Sequence, residues 1–172
     1  MSNEKVDSNV PLISVDHKWD RDTISIFFQE LGKSINEWHG SHYVNNQRGG
    51  FLAFYWHFVR CKNKPFEFYL QIQDDELKIR IIMKEEKSDK KERTELRKKS
   101  RKESIAILNH LLTDYEWSYI IPPKNLGTGR TMAIKEIAKK DWLMTNSEGF
   151  VDFDATAKKL TAISSILDRI AK

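Results

Sequence analysis

Between residues 51 and 84 the side chains fall into two sets with a period of two. Leu52, Phe54, Trp56 and Phe58 alternate with other residues along one run, Phe66, Phe68, Leu70 and Ile72 along a second, and Leu77, Ile79, Ile81 and Met83 along a third. Successive strand residues point to opposite faces, so the pattern predicts a three-stranded antiparallel meander with one apolar face. A two-residue turn at Asp74 and Asp75 would pair Ile72 with Leu77, Leu70 with Ile79, Phe68 with Ile81 and Phe66 with Met83; a slip of one residue would scatter them. The opposite face then carries Tyr55, His57, Glu67, Tyr69, Gln71, Gln73, Lys78, Arg80, Ile82 and Lys84, with Tyr69 facing Arg80 and Gln71 facing Lys78. Rings beside cations on an open sheet suit single-stranded nucleic acid, because rings stack on bases while cations track phosphates. The same residues are ordinary occupants of the wet side of an antiparallel sheet.

The flanking segments change period. Ile24, Phe27, Phe28, Leu31, Ile35 and Trp38 recur at helical spacing after Asp20, which predicts an amphipathic helix covering the sheet. A loop rich in glycine and asparagine is expected over residues 39–50. Its His39 and His42 supply at most half of a structural zinc shell, so no metal site is assigned. A second helix is expected from near Ser88 to about Leu112, then a strand over residues 116–121 stopped by Pro122 and Pro123. The loop 124–130 holds Gly127, Gly129 and Arg130 but lacks the strand-to-helix setting of a nucleotide loop. A strand over 131–137, an apolar anchor at Trp142 and Leu143, a turn at 146–149 and a last helix starting near Asp152 or Asp154 complete the chain. Residues 1–17 read as a polar tail that is mobile or docks as a short edge strand, and 18–172 as one domain. The fold class is α+β: an antiparallel sheet of a three-stranded meander plus one or two further strands, helices mainly on one face, in the order α-β-β-β-α-β-β-α.

A chain of 172 residues can bury roughly 70% of its unfolded surface and needs no staples. Its single cysteine, Cys61, excludes an internal disulfide, and with no signal peptide and no long apolar run the expectation is a soluble, cytoplasmic protein. The net charge of +4 is local: residues 84–103 hold ten Lys or Arg and six Asp or Glu, and the remainder balances. Lys90, Arg93, Arg97 and Arg101 follow one another at helical spacing beside Lys98, with Glu92, Glu95 and Glu103 on the other side. Such a row suits phosphates or an acidic protein surface, and equally a solvated helix pairing with its own glutamates.

The segments Phe66-Glu67-Phe68-Tyr69-Leu70-Gln71-Ile72 with Leu77-Lys78-Ile79-Arg80 introduce a further clue. So do Pro122-Pro123-Lys124-Asn125-Leu126-Gly127-Thr128-Gly129-Arg130-Thr131-Met132-Ala133, then Asp141-Trp142-Leu143 and Glu148-Gly149-Phe150-Val151-Asp152-Phe153. Together, over roughly residues 50–171, they resemble the carboxyl-terminal part of a bacterial group within the PD-(D/E)XK nuclease superfamily. The resemblance implies an accessory half, because the catalytic acids and lysine of that group lie ahead of this region. No Pro-Asp dipeptide occurs in the chain. Among its acid-x-Lys triplets the best placed is Glu76 to Lys78, beside Asp74 and Asp75. Acidic residues are also expected there for turn chemistry alone.

The expected function is therefore a non-catalytic nucleic-acid-binding or regulatory module without a cofactor, using Lys90, Arg93, Arg97, Lys98 and Arg101, helped by Lys78, Arg80, Arg130, Tyr55 and Tyr69. The alternative is a protein-interaction module, a partner subunit or inhibitor, offering the same basic helix to an acidic protein. A third possibility is a small Mg²⁺-dependent nuclease centred on Asp74, Asp75, Glu76 and Lys78.

Overall fold

A computed structural model describes residues 10–35, 38–46, 49–64, 66–74, 76–85, 93–111 and 131–169. The elements are α1 (Arg21–Gly32), β1 (Trp38–Asn46), β2 (Gly49–Arg60), β3 (Phe66–Gln73), β4 (Ile79–Glu85), α2 (Arg93–Leu111), β5 (Thr131–Ile137), α3 (Lys139–Trp142) and α4 (Phe153–Asp168). Among the described residues five strands form one antiparallel sheet in sequence order, so the class is α+β as the alternation predicts. The expected strand over 116–121 and the loop 124–130 lie outside the described residues.

One face of the sheet carries the core. Phe54, Trp56, Phe68, Leu70, Ile72, Ile79 and Ile81 are all but inaccessible there, and residues of α1 and α4 complete the cluster. Phe27 of α1 is its hub, with ring centroids of Trp19, Phe28, Trp142 and Phe153 at 5.0, 5.8, 6.2 and 5.8 Å. Tilted pairs of this kind add about 0.5–1.5 kcal/mol each beyond area burial. Both long covering helices begin at an aspartate that accepts an otherwise orphaned amide, Asp20 from Thr23 at 2.8 Å and Asp152 from Ala155 at 3.0 Å. The Thr23 amide holds the Asp20 carboxyl below its ordinary range. The segment before α1 docks too: Ile13 is buried, its carbonyl accepts from Val151, and Ser14 bridges to Phe150.

Three local expectations need correction. The first is the loop over 39–50, most of which is β1, paired along β2 from Gly40↔Tyr55 to Asn46↔Gly49. Its Gly, Ser and Asn content argues against a strand, yet β2 is 12 residues long and offers a whole edge to pair with, so tertiary context overrides propensity. α1 accordingly stops at Gly32, and Trp38 belongs to β1. Gly50 lets the exposed Tyr43 ring lie against the backbone, where a Cβ would displace it, and the Arg21 guanidinium sits over that ring at 5.2 Å.

The second correction is the register of β3 on β4. Ile72 pairs with Ile79, Leu70 with Ile81 and Phe68 with Met83, two residues away from the expected partners. A slip of two preserves every facing, so the apolar set stays on the core side. Leu77 instead lies in the connection at φ +49°, buried, and its carbonyl accepts from Trp142 Nε1 at 3.0 Å. That long-range hydrogen bond requires a longer loop than two residues. Consequently Tyr69 faces Ile82, and Gln71 faces Arg80.

The third is a β-bulge. The register shifts between Trp56 and Phe58, with His57 as the inserted residue at φ +62°. A non-glycine residue in that region costs on the order of 1–3 kcal/mol. The extra residue inverts the alternation beyond it: Val59 is buried in the core and Phe58, expected inside, is 51% exposed. His57, expected on the outer face, is buried, and its Nε2 lies 2.6 Å from Asp168 Oδ1 at the end of α4.

Candidate functional site

The basic segment forms a long helix, because the stretch from Arg93 to Leu111 lacks Gly and Pro and places Ile105 and Ile107 against the core cluster. Among its cations Lys98, Lys99 and Lys102 are exposed, whereas Ser100 and Arg101 are buried. At 100° per residue the three lysines share an arc of about 100°. Arg101 was expected to project with an arginine row. It is instead turned inwards, since the helix docks as far towards its amino end as Ser100. Burial lowers the guanidinium of Arg101 from its ordinary value. Arg93 and Arg97 lie on the first turns of α2; Lys90, Arg130 and Asp75 fall outside the described residues.

The connection from β2 to β3 brings a second group of cations to the same place. Lys64 makes an ion pair with Glu103 of α2, which ties the hairpin to the helix. Arg60 and Lys62 of that hairpin are exposed. Glu103, expected on the side of the helix away from the basic row, thus joins the hairpin to α2.

Lys78 and Arg80 are differently engaged. Glu136 of β5 lies 3.3 Å from Lys78 Nζ and 3.3 Å from Arg80 Nε, and Lys78 also pairs with Glu76. The Glu76 carboxylate, with Glu136, raises the Lys78 ammonium above its ordinary value. Beside them Lys18, Arg21, Gly50, Phe51, Gln73, Asp74 and Arg80 line an open cleft of about 590 Å³, in which Arg21 pairs with Asp74 at 3.4 Å. Asp74 and Glu76 therefore each have a cation beside them, and Asp75, the third carboxylate expected with them, lies outside the described residues. Among the described residues no three His, Cys, Asp or Glu side chains gather into a metal-binding group.

The outer face of the sheet presents rows that cross the strands. One runs Phe58, Tyr69, Ile82, Ile134, and its neighbour runs Tyr55, Gln71, Arg80, Glu136. Phe58 stacks on Tyr69 at 5.6 Å and 24°, and Tyr55 approaches Tyr69 at 6.3 Å. Burial among these neighbours pushes the Tyr69 phenol up to about 12, and Tyr55 upwards too. Tyr55 and Tyr69 are thus where the alternation predicts; Phe58 is the residue it misses, because one inserted residue is invisible to a period of two.

Two other features escape the pattern. Lys135 sits on the core side of β5 opposite Ile81, only 1% exposed, and desolvation lowers its ammonium from the ordinary value. Lys62 is brought towards Lys98, Lys99 and Lys102 through the Lys64 to Glu103 contact, which spans 39 positions. No helix among the described residues is long and apolar enough to cross a membrane. Neither family models, nor curated proteins, nor solved structures give a match to this chain.

Proposed function

We propose that this chain is a non-catalytic nucleic-acid-binding module, similar to the accessory half of a nuclease, whose phosphate-binding surface is the α2 lysine arc together with the β2–β3 hairpin. The observation that carries it is the Lys64 to Glu103 pair, which sets Lys62 beside the face bearing Lys98, Lys99 and Lys102. Flexible ammonium groups on a convex helix and hairpin suit a polyanion held by its backbone, with little reading of bases. The resemblance to a nuclease's carboxyl-terminal part points the same way.

Binding through these groups is salt-dependent, the logarithm of affinity falling by about 0.7–0.9 per phosphate neutralised for each tenfold rise in salt. The test is fluorescence anisotropy with labelled DNA and RNA at low salt. The intact chain is expected to bind, and a Lys62→Glu, Lys99→Glu, Lys102→Glu variant with unchanged melting temperature to lose binding. Undetectable binding by the intact chain, or undiminished binding by the variant, overturns the proposal. Recovery of an acidic protein and no nucleic acid on co-purification would favour the protein-partner alternative.

A further inference from the structure

The His57 bulge supplies a specificity that the basic surface lacks. Without it, strict alternation would keep Phe58 in the core; with it, the ring lies half exposed, stacked on Tyr69. A left-handed non-glycine residue is strained, and bulges re-aim side chains beside functional sites.

We infer that Phe58 and Tyr69 form a stacking platform for the bases of a single-stranded nucleic acid whose backbone runs along the β2–β3 hairpin onto α2. This rests on the proposed phosphate-binding surface and deepens it by naming the form of nucleic acid. Continuity is the first support. Phe58, Arg60 and Lys62 follow one another from the last turnout of β2 into the hairpin, and Lys64 joins that hairpin to α2, so one strand can lay its bases on the sheet and its phosphates on the lysines.

Shape is the second support. Duplex bases are already stacked on each other and offer no face to a flat ring, whereas splayed bases do. Charge is the third: Arg60 stands opposite Glu67 and Arg80 pairs with Glu136, so the rows beside the rings are balanced, and the positive surplus lies beyond them at Lys62 and the α2 lysines, where the backbone of the strand would run. Tyr55, at 6.3 Å from Tyr69, extends the platform by one ring.

The experiment compares a labelled thymidine homopolymer with the same strand annealed to its adenosine complement, at fixed low salt. The single strand is expected to bind more tightly. Phe58→Ala should weaken it roughly 5- to 150-fold, the range for losing one stacked base, while duplex affinity stays unchanged. Phe58→Tyr, which retains a ring, should restore single-strand binding. Photocrosslinking of a 5-bromouridine strand should map to Phe58 or Tyr69. If single-strand affinity survives Phe58→Ala while the lysine variant abolishes it, the platform is wrong and the phosphate surface stands. If neither form binds, both fall. A change in sedimentation on Phe58→Ala, with single-strand affinity intact, would assign this face to self-association and overturn the inference.

Discussion

The two faces of the sheet use aromatic rings in opposite ways. On the helix-covered face, Phe27 meets four other rings, and Phe28, Phe54 and Trp56 continue the cluster at 5.4 and 5.8 Å. On the outer face, Tyr55, Tyr69 and Phe58 lie in contact with one another, with Phe58 half exposed. The residue types are the same, so composition does not separate the two environments; the packing around each ring does. Rings enclosed on all sides contribute burial and dispersion to folding, whereas a half-exposed ring such as Phe58 contributes less of both.

That contrast can be broken by substitution. Phe27→Ala should destabilise the fold by about 3–5 kcal/mol, because it empties the hub of the cluster, read as a lowered denaturant midpoint at constant slope. Asp152→Ala removes the side-chain acceptor at the start of α4 and should cost about 1 kcal/mol in the same measurement. Phe58→Ala should cost less than about 1 kcal/mol, being half exposed already, so its effect on binding is separable from folding. A larger loss at Phe58 than at Phe27 would reverse the assignment of the two faces.

Titration sharpens the comparison. Tyr69 holds its proton to about pH 12 when folded, against an ordinary phenol value of 10.0. Between those values the folded chain binds more protons than the unfolded one, so this group makes stability fall as pH rises. The Tyr69 step should be visible in phenolate absorbance and vanish in Tyr69→Phe. Lys135, on the covered face, has the opposite sign. Its folded value lies below the ordinary 10.5, so the unfolded chain binds more protons below that pH, and this group makes stability rise with pH up to it.

Much of the fold was legible because a period of two is a local property. Phe66, Phe68, Leu70 and Ile72 had to share a face whichever neighbour they paired with, and the β3 to β4 register could slip by two without disturbing them. The amino-terminal signals of α1 and α4 were equally local: an aspartate, then an amide three residues on.

What depended on distant partners was decided by tertiary structure. β1 is a strand because β2 offers it an edge, Leu77 leaves the ladder because Trp142 binds its carbonyl, and Arg101 turns inwards because α2 docks along more of its length than its apolar residues indicate. The candidate surface follows the same division. The chain alone determined that positive charge gathers between residues 84 and 103 and that Tyr55 and Tyr69 lie opposite the core. Which lysines face outwards, that the hairpin joins them, and that Phe58 stands in the open were set by packing. A single inserted residue at a bulge, or an ion pair spanning 39 positions, changes orientation without leaving a periodic trace in the sequence.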